Sequence, residues 1–154
     1  MDDRDLSAGN GGLSPQDTAN SAWAITQSPE PFLVLIVDDE APIAETLSFI
    51  VEDAGYAPLT AAHGAEALEL VRRRWPALVF TDLMMPHLNG ARLIAALRDE
   101  AASTGQPPPV TVLMTAAGPR QAAEAGADAV LLKPFDLQDV EALLQRYLGL
   151  PPGA

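Results

Sequence analysis

The sequence predicts an α/β domain in which five parallel strands alternate with helices and form one sheet that is covered on both faces. Short apolar runs recur along the chain, and such runs are typical of strands buried on both faces. Between them lie segments whose apolar residues are spaced three and four apart, as in amphipathic helices. For one small domain, right-handed crossovers favour the strand order 2-1-3-4-5, with the functional site at the carboxyl ends of the strands.

The strands are predicted from apolar runs bounded by polar residues, glycine or proline. The first is continuous and strongly apolar, the second is weaker, and Pro107–Pro109 lead into the fourth. In chain order they are residues 33–37, 56–61, 77–81, 110–114 and 129–132.

Four longer helices are predicted over residues 42–54, 65–74, 91–102 and 137–148. Pro42 falls in the first turn of the first helix, where its missing N–H costs nothing, and Gly55 ends that helix. A short helical piece is predicted over residues 119–125. In the last helix the apolar residues are expected to point inward: Leu137, Val140, Leu143, Leu144, Tyr147 and Leu148.

The domain boundaries follow from a change in composition near Phe32. Residues 1–30 carry five acids against one base and few large apolar side chains. Such a segment cannot bury enough surface to offset its ordering entropy, so it is predicted to be a disordered acidic tail, with Trp23 as an apolar exception. Residues 31–150 form the predicted folded domain, and residues 151–154 form a short C-terminal tail.

Composition excludes several classes of function. The net charge is −12, from 21 acids and 9 bases, which argues against nucleic acid or an anionic membrane as a partner. The chain has no cysteine, so disulfides, thiol catalysis and zinc–thiolate sites are excluded. Because neither a membrane-length apolar segment nor a signal peptide is visible, a soluble cytoplasmic protein is expected.

Acidic side chains follow two neighbouring strands of the predicted sheet. Asp38 and Asp39, with Glu40, come directly after the first strand, and Asp82 follows the third. A single acid after a strand is often only a helix N-cap, which is an alternative role for Asp38 or Glu40. Carboxylates brought this close repel each other unless a cation lies between them. Mg²⁺ fits, since it prefers a few carboxylates and keeps waters that a phosphate can displace.

The fourth and fifth strands end in groups suited to an anion. Thr115 offers a hydroxyl donor for a phosphoryl oxygen, and Lys133 offers a compact positive charge. Lys133 is the only lysine in the chain, whose other eight bases are arginine, and this favours a specific need for an ammonium group there.

Together these strand ends resemble the signatures of response-regulator receiver domains. The similarity covers about residues 32–149, and the segments that carry it are Leu35–Glu40, Asp82–Gly90, Thr115–Ala116 and Lys133–Phe135. The resemblance implies a flavodoxin-like doubly wound sheet. It implies that Asp82 is the phosphoacceptor.

The resemblance also implies the metal ligands and the groups that hold the phosphoryl oxygens. Asp38 and Asp39 would form the acidic pair that binds Mg²⁺ together with Asp82 and the backbone carbonyl of Met84. The phosphoryl oxygens would be held by Thr115 and Lys133, and the peptide bond from Lys133 to Pro134 would be cis.

Two features depart from the usual receiver pattern. Val130 occupies the position, three residues before the lysine, where an aromatic residue usually reports phosphorylation. The connection from Thr115 to Gly126 is about one helical turn shorter than usual, so the fourth helix is predicted to be shortened or absent. We therefore expect the protein to stay monomeric when phosphorylated.

The predicted function is that of a single-domain response regulator, because the chain ends at Ala154 soon after the last helix. It would receive its phosphoryl group from a histidine kinase or a histidine phosphotransfer protein, and signal by binding a further protein or by phosphorelay. It would catalyse only its own phosphorylation and dephosphorylation, and so is not expected to be an enzyme.

Three alternatives were weighed. The first is a receiver-like interaction scaffold that acts independently of phosphorylation, although such a scaffold is expected to lose some of the site residues. A phosphohydrolase of the haloacid-dehalogenase type would need an Asp-x-Asp arrangement after the first strand, which Asp38-Asp39-Glu40 does not provide. A dinucleotide-binding enzyme would need a glycine-rich turn at the same place.

Overall fold

The computed structural model describes residues 31–149 except 87, 117–119, 121, 122 and 124. The predicted tails at 1–30 and 151–154, with Trp23, lie outside the described residues. So do Ala117 and much of the predicted piece at 119–125.

Five strands form one parallel sheet in the order β2-β1-β3-β4-β5, which confirms the predicted order. The third and fourth strands run one residue further than predicted, so that Asp82 and Thr115 are the last residues of their strands. The strands are β1 (Leu33–Val37), β2 (Ala57–Ala61), β3 (Leu78–Asp82), β4 (Val110–Thr115) and β5 (Ala129–Leu132).

The described residues contain four long helices, each within two residues of its predicted bounds: α1 (Ala41–Asp53), α2 (Gly64–Arg73), α3 (Gly90–Thr104) and α4 (Leu137–Leu148). Side-chain caps explain why three of them begin where they do. His63, Asn89 and Asp136 accept N–H groups from the first turns of α2, α3 and α4, respectively.

Between β4 and β5 the described residues include three helical positions, Arg120, Ala123 and Ala125. Gly126 follows with a left-handed backbone (φ 77°), as is usual just after a helical turn. The full length of this predicted fourth helix falls partly outside the described residues.

Alternate residues of β1 face opposite sides of the sheet, and both sides are covered. Val34 and Ile36 pack in a cluster with residues of α1 and α4, whereas Leu35 and Val37 pack in a second cluster with residues of α2 and α3. All four are fully buried. Burying an aliphatic side chain of this size stabilises the fold by about 1.5–3 kcal/mol, so β1 is a firm support for the loop that follows it.

The prediction for Leu137 was wrong. Leu137 is 45% exposed, whereas Val140 and Leu144 of the same helix are fully buried in the cluster under α1 and α4. Leu137 is the first residue of α4, and the helix starts beyond the apolar cluster that covers its later turns. Helical spacing identifies the apolar face of a helix, but it does not show which turns of that face pack against the rest of the domain.

The outer strands are β2 and β5. The N–H of Ala57 donates to the carbonyl of Phe32 at 2.8 Å, toward β1. Because successive residues of a strand alternate, Pro58 occupies the position whose N–H would face away from the sheet. At the opposite edge, β5 has four residues.

No helix in the described part of the chain is long and apolar enough to cross a lipid bilayer.

Candidate functional site

The polar side chains predicted at the strand ends do meet at one edge of the sheet. Asp38 directly follows β1, Asp82 ends β3, Thr115 ends β4 and Lys133 directly follows β5. β3 pairs with β1 and β4, and β4 pairs with β5, so parallel pairing places all four groups at the carboxyl edge.

Three carboxylates form an acidic cluster at this edge. One oxygen each from Asp38, Asp39 and Asp82 lies within 4.8 Å of the others. Asp38 and Asp82 are buried, with 2% and 7% of their surface exposed, whereas Asp39 is exposed. An oxygen-only cluster with one side open to water fits a hard divalent cation that keeps part of its hydration shell. These residues could therefore hold Mg²⁺.

Asp38 uses its two carboxylate oxygens for different purposes. Oδ1 accepts the backbone N–H of Glu40 at 2.8 Å, which fixes the turn into α1, while Oδ2 lies 3.4 Å from Nζ of Lys133. Glu40 occupies the N-cap position of α1 but makes no side-chain cap bond. The capping alternative therefore fails for Glu40, and Asp38 combines a local turn bond with its place in the cluster.

Lys133 lies between the two buried carboxylates. Its Nζ is 3.3 Å from Oδ1 of Asp82 and 3.4 Å from Oδ2 of Asp38. Its backbone N–H donates to the carbonyl of Thr115 at 2.9 Å, and its bond to Pro134 is cis, as the resemblance implied. The lysine thus extends across the ends of β5, β4, β3 and β1.

The electrostatics of the site are set by burial and by this surplus of acids. Burial raises the pKa of Asp82, Lys133 acts to lower it, and Asp38 and Asp39 raise it further. For Lys133 burial acts to lower the pKa, but Asp38 and Asp82 outweigh it, so that the pKa of the ammonium group is raised. Lys133 therefore stays charged. Ionisation of Asp82 costs free energy in the folded state, and a bound cation would reduce that cost.

The backbone around Asp82 is held by residues that the sequence pattern did not single out. The hydroxyl of Thr81 donates to the carbonyl of Asp82 at 3.1 Å, and the N–H of Leu83 donates to the carbonyl of Met114 at 3.0 Å. A Cβ at Gly90 would lie 2.5 Å from the carbonyl oxygen of Asp82, so only glycine allows α3 to start this close. The signal in the sequence that could have identified Gly90 is its place directly after Asn89, the N-cap of α3.

Comparison with known proteins identifies the family. The sequence model described as response regulator receiver domain matches residues 34–145. The chain belongs to the response-regulator receiver family.

Curated relatives agree with the receiver assignment. Response regulator Rre1 of Synechocystis is 36% identical over 125 residues, covering 78% of this chain and 53% of that protein. The phosphate regulon transcriptional regulatory protein PhoB of Klebsiella pneumoniae is 33% identical over 119 residues, covering 75% of this chain and 51% of that protein. The chain spans about half the length of the curated relatives it matches.

Solved receiver structures share the fold over nearly their whole length. The chemotaxis protein CheY4 of Vibrio cholerae superposes with a TM-score of 0.67 at 31% identity, covering 75% of this chain and 98% of that one. The receiver domain of NtrX from Brucella abortus gives a TM-score of 0.65 at 27% identity, covering 75% and 97%. These matches confirm the five-stranded doubly wound fold.

Met84 and Val130 are two further positions named from the sequence. The side chain of Met84 is exposed, whereas the next residue, Met85, is buried; the role of the Met84 carbonyl as a metal ligand stays a prediction. Val130 is half-buried and packs beside Ile94 and Leu113. A branched aliphatic side chain therefore packs at this position of β5, next to Leu113 of β4.

Proposed function

We propose that this chain is a single-domain response regulator that accepts a phosphoryl group onto Asp82. The donor is a phosphohistidine on a histidine kinase or phosphotransfer protein, and the signal passes on by binding of a further protein or by phosphorelay. The single observation that carries the proposal is the position of Asp82, buried beside Lys133 and within the three-carboxylate cluster.

The transfer needs one bond to form and one to break. A carboxylate oxygen of Asp82 attacks phosphorus in line; the new O–P bond forms as the P–N bond breaks, and the imidazole leaves with the bonding electrons. Asp38, Asp39, Asp82 and the carbonyl of Met84 would hold Mg²⁺, which when bound neutralises the charge of the phosphoryl oxygens.

Lys133 supplies the protein's own positive charge for this transfer. Its ammonium group lies 3.3 Å from Oδ1 of Asp82, so it is within reach of a phosphoryl group carried by that carboxylate. The hydroxyl of Thr115, at the end of the neighbouring strand, would donate to a second phosphoryl oxygen. Both groups would bind oxygens of the phosphoryl group as it is transferred. Positioning and charge stabilisation of this kind are most of what catalysis of phosphoryl transfer requires.

A groove beside Lys133 offers room for the donor. It has a volume of about 490 Å³, and its walls include Pro42, Ile43 and Phe135. A partner could cover this apolar surface while presenting its phosphohistidine to Asp82. Each chain would accept one phosphoryl group and act on no separate substrate, so the protein is proposed to be a switch rather than an enzyme.

The proposal is tested with a small phosphodonor. Purified protein incubated with acetyl phosphate and Mg²⁺ should gain the mass of one phosphoryl group, whereas Asp82→Asn should gain none. Asp99→Asn, an exposed change on α3, should behave as the unmodified chain does.

Removing Mg²⁺ with EDTA should also prevent labelling, because the acidic cluster would otherwise repel the incoming phosphoryl group. Labelling that persists in Asp82→Asn or in EDTA would overturn the assignment. If the unmodified chain is not labelled by acetyl phosphate, the phosphorylation-independent scaffold becomes the better description.

A further inference from the structure

The segment from Ala61, the last residue of β2, to Gly64, the first residue of α2, contributes none of the predicted site residues, yet it touches both of the loops that do. On one side, the carbonyl of Ala61 accepts the N–H of Asp38 at 3.1 Å. On the other side, Gly64 packs against Leu88, which lies in the loop between β3 and α3. This segment therefore lies between the loop of the acidic pair and the loop that follows Asp82.

The contact of Gly64 with Leu88 leaves no room for a side chain. A Cβ on Gly64 would lie 2.3 Å from Cδ2, 2.8 Å from Cγ and 3.0 Å from Cβ of Leu88. Gly64 is not among the described glycines with positive φ, so space, not backbone conformation, requires glycine here. Because the Cβ of Leu88 moves only with its backbone, a change of rotamer cannot relieve the whole overlap.

Leu88 is one of the fixed points of the loop after Asp82. Leu88 and Met85 both pack on the cluster under α2 and α3, and the N–H of Leu88 donates to the carbonyl of Pro86 at 2.8 Å. The side chain of Met84, in contrast, is 75% exposed. The position of the Met84 backbone is therefore fixed by the packing of Met85 and Leu88 and not by the Met84 side chain.

We propose that Gly64 is a positioning residue for phosphoryl transfer. Its close contact with Leu88 sets how near the loop after Asp82 lies to the acidic pair, and so fixes the geometry of the cation and phosphoryl site. The inference rests on the proposed function, since it concerns the rate of that reaction.

The size of the effect follows from the overlap. A new rotamer of Leu88 can move Cδ2 and Cγ away, but its Cβ stays 3.0 Å from the new methyl group, and a contact this short requires the Leu88 backbone to shift by a few tenths of an ångström. A misplacement of about 1 Å at a preorganised site costs up to about a hundredfold in rate, so this smaller shift should cost less. We expect phosphorylation by acetyl phosphate to slow by about threefold to tenfold. Loss of helix propensity cannot be the cause, because alanine favours a helix more than glycine does.

The test uses a double-mutant cycle. Gly64→Ala, Leu88→Ala and the double variant are compared with the unmodified chain at a temperature where all are folded. Leu88→Ala removes Cγ and Cδ2, so it should make room for the new Cβ and restore much of the rate lost in Gly64→Ala. Val71→Ala, a buried change in the same helix and cluster, controls for general destabilisation and should leave the rate unchanged.

Three measurements are made on each variant: backbone amide shifts of the loop from Leu83 to Asn89 without metal, Mg²⁺ binding by calorimetry, and the rate of labelling by acetyl phosphate. The expected result is that Gly64→Ala moves the loop amides, weakens Mg²⁺ binding and slows labelling, and that the double variant partly restores all three. Unmoved loop amides, an unchanged rate, or equal slowing in Val71→Ala would overturn the inference. Failure of the proposed function is distinct, because it shows as absence of labelling in the unmodified chain.

Discussion

Removing the charge of Asp82 should make the metal-free domain more stable. Asp82→Asn keeps the shape of the side chain but deletes the negative charge. Burial, with Asp38 and Asp39, raises the pKa of this carboxyl, which means that its ionised form costs free energy in the folded state.

The magnitude can be worked from the distances. One oxygen each of Asp38, Asp39 and Asp82 lies within 4.8 Å of the others, and at an effective dielectric constant of about 20 two like charges at that limiting distance repel by about 3.5 kcal/mol. At the same dielectric constant, the attraction of Lys133 at 3.3 Å is about 5 kcal/mol. Burial is the largest cause of the raised pKa of Asp82, Lys133 offsets part of it, and the repulsion from Asp38 and, more weakly, Asp39 adds to the cost of the charge. We therefore expect Asp82→Asn to raise the free energy of unfolding by about 1–3 kcal/mol.

The sign of the pH dependence follows from the raised pKa. The folded state holds the proton on Asp82 more tightly than the unfolded state does. The cost of ionising Asp82 is therefore absent below the ordinary carboxyl pKa, grows as pH rises through the raised value, and is complete above it. The advantage of Asp82→Asn should be largest at neutral pH and shrink as the solution is acidified.

Urea unfolding followed by circular dichroism in EDTA measures this difference. Asp99→Asn, which is exposed on α3, is the control and should change the free energy of unfolding by no more than about 0.5 kcal/mol. Mg²⁺ at a hundred times its dissociation constant should then stabilise the unmodified chain by about 2.7 kcal/mol, and Asp82→Asn by less. A less stable Asp82→Asn at neutral pH, or a difference that does not vary with pH, would refute the reasoning.

Three further predictions concern turnover, assembly and packing. Met84 and Ala117 are two residues beyond Asp82 and Thr115, and the receiver resemblance implies that these positions flank the path of the hydrolytic water. Neither side chain can orient a water, so Met84→Asn with Ala117→Glu should speed loss of the phosphoryl group by about tenfold or more; an unchanged decay by mass spectrometry would contradict this. Val130 cannot swing as an aromatic ring does, so light scattering with beryllofluoride and Mg²⁺ should still give a monomer mass, and a dimer mass would show the prediction to be wrong. Tyr56→Phe removes the bond from the Tyr56 hydroxyl to the carbonyl of Gly149 at 2.6 Å and should cost about 1 kcal/mol by urea unfolding, whereas no loss would mean that water replaces it.

The sheet order and the meeting of the site residues could be predicted because both depend on simple rules. Apolar runs predict buried parallel strands, and polar residues at their carboxyl ends must share one edge. The exact strand ends could not be predicted from the apolar runs. Asp82 and Thr115 are polar, yet each is the last residue of its strand, because backbone hydrogen bonding continues past the apolar residues, as in the bond from the N–H of Leu83 to the carbonyl of Met114.

Packing between separate segments could not be predicted in the same way. Nothing in the sequence near Gly64 indicates that Leu88 lies against it, because the two meet only when α2 and the loop after β3 are placed on the sheet. The exposure of Leu137 was missed for a related reason. Sequence periodicity describes one helix at a time, whereas contacts depend on what its neighbours cover.

The two outer strands determine whether the sheets of separate molecules can pair edge to edge at high protein concentration. Pro58 has no N–H to donate at the outer edge of β2. A strand from another molecule that paired along this edge would therefore lack one backbone hydrogen bond. The other edge offers only the four residues of β5. Both edges therefore disfavour pairing with a strand of another molecule, which leaves the side chains of the helices and loops as the surfaces through which the proposed switch would be recognised.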